Sequence, residues 1–167
     1  MSEQRSAGKS RREFLKTTAA GAAATAGLSL ARGAHAAGSD QIKIALIGCG
    51  GRGTGAAVNA LSTKANVKLV AMHDAFRDRL DGAYKALAAR HGAQVDVPEE
   101  RKFTGLDGFR GAIAAGVDMV LLCGPPGFRP VQFEAAVAAG KHVFTEKPVC
   151  TDAPGYRRIV AANAEAK

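Results

Sequence analysis

Three glycines stand at the spacing G-x-G-x-x-G in Gly48-Cys49-Gly50-Gly51-Arg52-Gly53. The run directly follows a mostly apolar stretch, Gln41 to Ile47, and leads into the helix-compatible Ala56 to Leu61. Strand, glycine turn and helix in that order suit phosphate binding, because the free N–H groups and partial positive charge of a helix N-terminus attract an anion. Each glycine then has its own reason. Gly48 permits the tight turn, Gly50 lets a phosphate approach the backbone where a Cβ would stand, and Gly53 lets helix and strand pack closely. Gly51 and Arg52 complete the turn, with Arg52 either beside the phosphates or directed to solvent.

A chain with 20 glycines can produce such a pattern by chance, so context decides its weight. The context is an acidic residue, Asp74, 21 positions beyond Gly53 at the end of the next apolar run, Val67 to Met72-His73. A carboxylate there would accept hydrogen bonds from ribose hydroxyls and repel a 2′-phosphate, so the expected cofactor is NAD rather than NADP. Arg77 and Arg79, just beyond Asp74, keep NADP open. Either folds over a 2′-phosphate, or both are solvated charges on a first helical turn.

Two further loops carry unusual residues. Gly124-Pro125-Pro126 after a fourth apolar run offers rigid backbone carbonyls suited to lining a ribose and a nicotinamide. Glu146-Lys147-Pro148 after a fifth offers an ammonium that could polarise or protonate a substrate oxygen during hydride transfer. A lysine at a strand end is otherwise a solvated charge, and spacing alone does not separate the two.

The elements that must position these loops alternate regularly. Strands are expected at Gln41 to Ile47, Val67 to Met72, Lys102-Phe103, Val117 to Cys123 and His142 to Thr145. Helices are expected at Ala56 to Leu61, over Asp78 to His91, around Leu106, Phe109 and Ile113, at Val131 to Ala139, and from Asp152 onward with Tyr156, Ile159 and Val160 inward. That rhythm gives an α/β fold, a doubly wound parallel sheet of the Rossmann kind with right-handed crossovers. The loops after strands one, four and five then meet at the switch point of the sheet, where ligands bind.

Residues 1–36 have a different character. Ser10-Arg11-Arg12-Glu13-Phe14-Leu15-Lys16 precedes an uncharged stretch from Thr17 to Leu30 and then Ala34-His35-Ala36, the three parts of a signal peptide. The paired arginines match the twin-arginine export pattern, which implies recognition by the twin-arginine export machinery, cleavage after Ala36 and a periplasmic or extracytoplasmic location. The apolar stretch is too short for a stable membrane anchor. The net charge of +8 divides evenly between this segment and the rest of the chain, and no basic patch with interleaved aromatics emerges, so nucleic acid is not an expected partner. Cys49, Cys123 and Cys150 fall at no metal-ligand spacing and read as buried structural thiols, so no metal site is expected.

Ile-Gly-Cys-Gly-Gly-Arg-Gly-Thr-Gly at 47–55, the Pro-Pro loop, and Gly-Lys-His-Val-Phe-Thr-Glu-Lys-Pro at 140–148 together resemble the glucose-fructose oxidoreductase / inositol dehydrogenase (Gfo/Idh/MocA) family. The resemblance covers residues 41–160. It implies a tightly held NAD(P), a sugar, cyclitol or derivative as substrate, and Lys147 in the active site. It also implies a sixth strand and a second α/β domain carrying the substrate pocket. On that reading residues 37–167 are a truncated Rossmann domain, incomplete at its C-terminal edge, with the substrate domain absent and the chain inactive alone. Where family members often carry histidines, this chain has Gly127-Phe128-Arg129 and Gln132. The leading expectation is the dinucleotide-binding part of an exported NAD(P)-dependent oxidoreductase. Alternatives are an NAD-dependent glycosidase of the same family and a non-catalytic dinucleotide-binding module. A homo-oligomer is compatible with the sequence.

Overall fold

The computed structural model describes residues 40–166, and the expected export segment at 1–36 lies outside them. Five strands form one sheet: β1 Ile42–Ile47, β2 Val67–Asp74, β3 Lys102–Thr104, β4 Met119–Leu122 and β5 His142–Thr145. Their order is β3-β2-β1-β4-β5 and every pairing is parallel. Five helices alternate with them: α1 Gly51–Leu61, α2 Arg77–His91, α3 Phe109–Ala114, α4 Arg129–Ala138 and α5 Ala153–Glu165. The Rossmann expectation is met. Strand order reverses between β1 and β4, so the loops that leave their carboxyl ends diverge there and open a crevice.

The continuous apolar character of β1 follows from its central place. Ile44 and Leu46 join Ala57 and Leu61 of α1 and Leu80 and Leu87 of α2 on one face. Ala45 and Ile47 join Phe109 and Ile113 of α3 and Ala136 of α4 on the other. A strand covered on both faces has no side for polar residues.

One irregularity sets the register that matters. Ile44 pairs with Leu69 but Ala45 pairs with Ala71, so Val70 is an extra residue in β2. That bulge advances β2 by one position, so Ile47 stands opposite His73 and the Gly48 N–H donates to the His73 carbonyl at 2.8 Å. Asp74 is thereby brought level with the start of the glycine turn.

Some sequence expectations need correction. Helix α1 begins at Gly51, five residues ahead of Ala56, so the glycines themselves form its first turn. Leu106 does not join α3. It lies in the loop ahead of Phe109 and is 66% exposed. In α5, with Asp152 as N-cap accepting the Gly155 N–H at 2.7 Å, Tyr156 and Val160 face outward and only Ile159 of the expected trio is half-buried. The inward face of α5 is instead Gly155 and Ala162. A Cβ on Gly155 would lie 2.9 Å from Pro130 of α4, so close contact selects small residues over the apolar ones.

A Cβ on Gly53 would lie 1.8 Å from the Gly48 carbonyl oxygen, and neither atom can retreat without opening the turn. We predict that Gly53→Ala lowers unfolding free energy by about 2 kcal/mol or more, as overpacking against backbone does. Gly50→Ala, whose Cβ would meet nothing closer than an Arg79 side-chain nitrogen at 3.9 Å, leaves it within about 0.5 kcal/mol. Denaturant titration of the two variants checks the contrast.

Candidate functional site

Gly48 has φ of +95°, a conformation that disfavours any Cβ, and a Cβ there would fall 2.3 Å from the Gly124 backbone nitrogen. The turn after β1 therefore rests directly on the turn after β4. Gly50 is the N-cap of α1 and supplies no side chain, and the first bond into the helix runs from the Thr54 N–H to the Gly50 carbonyl at 2.9 Å. The N–H groups of Gly51, Arg52 and Gly53 precede that bond, so they are donors in search of an acceptor.

Asp74 closes this turn from the side. The residue is 7% exposed, and Oδ2 accepts the Cys49 N–H at 2.7 Å while Oδ1 accepts the Phe76 N–H at 3.0 Å. A carboxylate has about four acceptor positions, so two remain for hydroxyl donors. The two arginines beyond it part company. Arg77 bonds Asp81 at 2.9 Å and also pairs with Glu99 on the outer surface. Arg79 lines the cavity beside Gly50, with its guanidinium 5.8 Å from the Phe76 ring centre.

Across the crevice, Arg52 reaches from the glycine turn to the carboxylate of Glu146, which is itself 7% exposed. The solvent alternative for Arg52 gives way to a bridge between the β1 and β5 loops. The guanidinium holds the Glu146 carboxyl below the usual carboxylate range, first by its hydrogen bond and then by its charge. Lys147 is exposed beside this bridge and has no ion-pair partner among the described residues.

These parts surround a cavity of about 520 Å³, within the ordinary range for small-molecule sites. Of the sequence-derived candidates, Gly48, Gly50, Gly51, Arg52, Asp74, Pro125 and Pro126 line it. Gly53 lies beneath the turn, and Glu146 and Lys147 stand next to the cavity without forming its wall. Several lining residues escaped the sequence reading. Phe76, Leu106 and Phe128 are 62%, 66% and 48% exposed, and all three face the cavity. Apolar side chains left uncovered around one opening offer flat surfaces to aromatic rings. The outward turn of Leu106 is thus toward the site. His73, Arg129 and Gln132 are buried in the wall, and a polar residue inside an apolar strand or helix turn was the available signal.

A family model described as the GFO_IDH_MocA oxidoreductase family, NAD-binding Rossmann fold, matches residues 42–167. The chain belongs to this family. Inositol 2-dehydrogenase of Cereibacter sphaeroides (strain ATCC 17029 / ATH 2.4.9) is 35% identical over 121 residues, 72% of this chain and 32% of that protein. Inositol 2-dehydrogenase of Rhizobium meliloti (strain 1021) is 30% identical over 126 residues, 75% of this chain and 34% of that protein. Among solved structures, scyllo-inositol dehydrogenase from Lactobacillus casei with bound NAD(H) and scyllo-inositol superposes with a TM-score of 0.58 at 28% identity, covering 75% of this chain and 34% of that one. The chain spans about a third of the length of the curated relatives it matches.

The Gfo/Idh/MocA domain is therefore an NAD-binding Rossmann domain, and its turn fits that group. The position a Cβ of Gly50 would take is open except for the tip of Arg79, and Gly51 and Arg52 at the uncapped start of α1 line the same cavity. The thiols beside the turn are biased away from the thiolate form. Burial and the Asp74 charge push the Cys49 thiol up, and burial together with Glu146 pushes Cys123 up to about 11.

His73 supplies a pH test of this wall. Burial lowers its pKa below the ordinary 6.5, outweighing the Gly105 carbonyl that its Nε2 contacts at 2.8 Å. The folded state holds it neutral, so protonation favours the unfolded chain. Its contribution is complete above about pH 6.5 and is lost as pH falls from there through the lowered folded value. Thermal melts between about pH 7 and 5 should show falling stability. His73→Leu should flatten that slope, and an unchanged slope would assign it to other groups.

Proposed function

We propose that this domain is the dinucleotide-binding part of an exported NAD-dependent dehydrogenase that oxidises a hydroxyl of an inositol, related cyclitol or sugar. The observation that carries the reading is the join of Asp74 to the glycine turn, with the open side of Gly50 and the first residues of α1, Gly51 and Arg52, lining the same cavity. The relatives named inositol 2-dehydrogenase support the substrate class. The twin-arginine pattern at Ser10 to Lys16 supports export.

In this reading Gly50, Gly51, Arg52 and Gly53 receive the pyrophosphate, and Asp74 receives the adenosine ribose hydroxyls. A buried carboxylate repels a 2′-phosphate, which favours NAD, while Arg79 is the neighbouring cation that would oppose that preference. Pro125 and Pro126 form the wall toward the nicotinamide. When bound, NAD supplies the ring that accepts the hydride. Lys147 takes the proton of the substrate hydroxyl as the carbonyl forms, and returns it in the reverse direction. Glu146, fixed by Arg52, holds the loop that carries Lys147 against the glycine turn.

Two variants test the assignment. Gly50→Leu fills the phosphate space without touching the fold, so the melting transition should persist while NADH fluorescence enhancement disappears. Retained NADH binding would overturn the site. In the enzyme that carries this domain, Lys147→Ala should lower kcat by about 10²- to 10⁴-fold, the usual weight of a general acid or base. NADH affinity should stay within about threefold, a change of under 1 kcal/mol. Turnover that survives the substitution would remove Lys147 from the reaction.

A further inference from the structure

Arg129 opens helix α4 and is 5% exposed, an unusual place for a guanidinium. The N-terminal end of a helix carries partial positive charge, so a cation there is disfavoured. Among the described residues no carboxylate pairs with it, and its Nε has no hydrogen-bond partner. A buried charge in that setting needs a compensating contact.

The contact is with backbone. One guanidinium nitrogen, Nη1, donates to the Glu146 carbonyl at 2.8 Å and also to the Pro148 carbonyl. These are the two carbonyls that bracket Lys147 and Pro148. They need a donor because the parallel ladder has ended: its last bond at this edge runs from the Glu146 N–H to the Leu122 carbonyl at 3.1 Å. Beyond a 3.4 Å contact from the Thr145 hydroxyl to the Glu146 carbonyl, no other hydrogen bond reaches either oxygen among the described residues. Arg129 is therefore the chief tie between the lysine loop and the body of the domain from below, as Arg52 is from above. The same first turn of α4 carries Gln132 and follows Phe128, both in the cavity wall. Gly155 of α5 packs on the adjacent Pro130.

We propose that Arg129 is a positioning residue for Lys147, clamping the loop to the cavity wall so that the ammonium keeps one place relative to the bound ligands. The inference rests on the proposed role of Lys147, but its test does not. The chain is prepared with Arg129→Met and Arg129→Lys, and backbone hydrogen exchange is followed at Glu146, whose N–H donates to the Leu122 carbonyl, and at Ala45 to Ile47. Loss of the two bonds in Arg129→Met should speed exchange at Glu146 by about tenfold or more, because its N–H closes the ladder beside the freed loop and exchanges when that end opens. Exchange in β1 should stay within about twofold. Arg129→Lys, which keeps a donor but not the fork, should restore part of the protection and not all of it, and it carries the test if Arg129→Met does not fold.

In the enzyme, Arg129→Lys should lower kcat while KM and NADH affinity hold. Unchanged exchange at Glu146 in the Met variant, or acceleration equal to that of β1, would overturn the clamp. If Met does not fold, Glu146 exchange in Arg129→Lys equal to that of the unsubstituted chain with unchanged kcat would overturn it. Turnover that survives Lys147→Ala would sink the proposed function and leave the clamp standing.

Discussion

The bond from the Cys49 N–H to the Asp74 carboxylate, 2.7 Å long and buried, is the constraint on which the site depends. It joins the end of β2 to the middle of the glycine turn, so the two halves of the anion-binding edge move as one. Without it a buried N–H would lose its acceptor, at about 1–3 kcal/mol, and the turn would lose the contact that fixes its peptide planes. The bond exists because the extra residue Val70 advances β2 by one position. A local irregularity in a strand thus sets the geometry of a loop more than 20 residues away in sequence.

A second layer of constraint crosses the crevice. The glycine turn sits on the β4 turn through Gly48 and Gly124, and Arg52 ties it to Glu146 after β5. Arginines at opposite sides hold the Glu146-Lys147-Pro148 loop, one by a side chain and one by backbone carbonyls. The bridge from Arg52 is half-open to solvent and salt will weaken it, whereas the Arg129 contacts are buried and screened far less. The outer side of β5 has no strand paired with it among the described residues, so its loop relies on side chains where the inner loops rely on ladder bonds.

Much of this was legible in the sequence because it depended on local rules. Parallel strands covered on both faces must be apolar, and glycine is the residue that tolerates the φ of Gly48 and the approach at Gly53. The fold and the cluster of Gly48, Gly50, Gly51, Arg52, Asp74 and the two prolines followed from those rules. What was not legible depended on distance across the fold. Whether Arg52 met Glu146 or water, and whether Arg77 or Arg79 faced the cavity, turned on neighbours that only the sheet order brings together. Leu106, Tyr156 and Val160 were placed inward by their apolar character. In the structure, a loop displaced Leu106 and small-residue packing displaced the other two. Arg129 stood out only as a departure from the family pattern, and its burial against the Glu146 and Pro148 carbonyls was hidden, since a charged residue at a helix start reads as solvated.

In the proposed function a dinucleotide lies across the α1 N-terminus, between Asp74 and the β4 loop. The most direct measurement is a titration of the isotopically labelled chain with NAD, followed by amide chemical shifts. The largest shifts should fall at Gly51, Arg52 and Gly53, with further shifts at Phe76 and Gly124 and little change in α5. Shifts absent from the glycine turn, or concentrated in the groove that Arg110 and Lys141 line between α3 and α4, would contradict it.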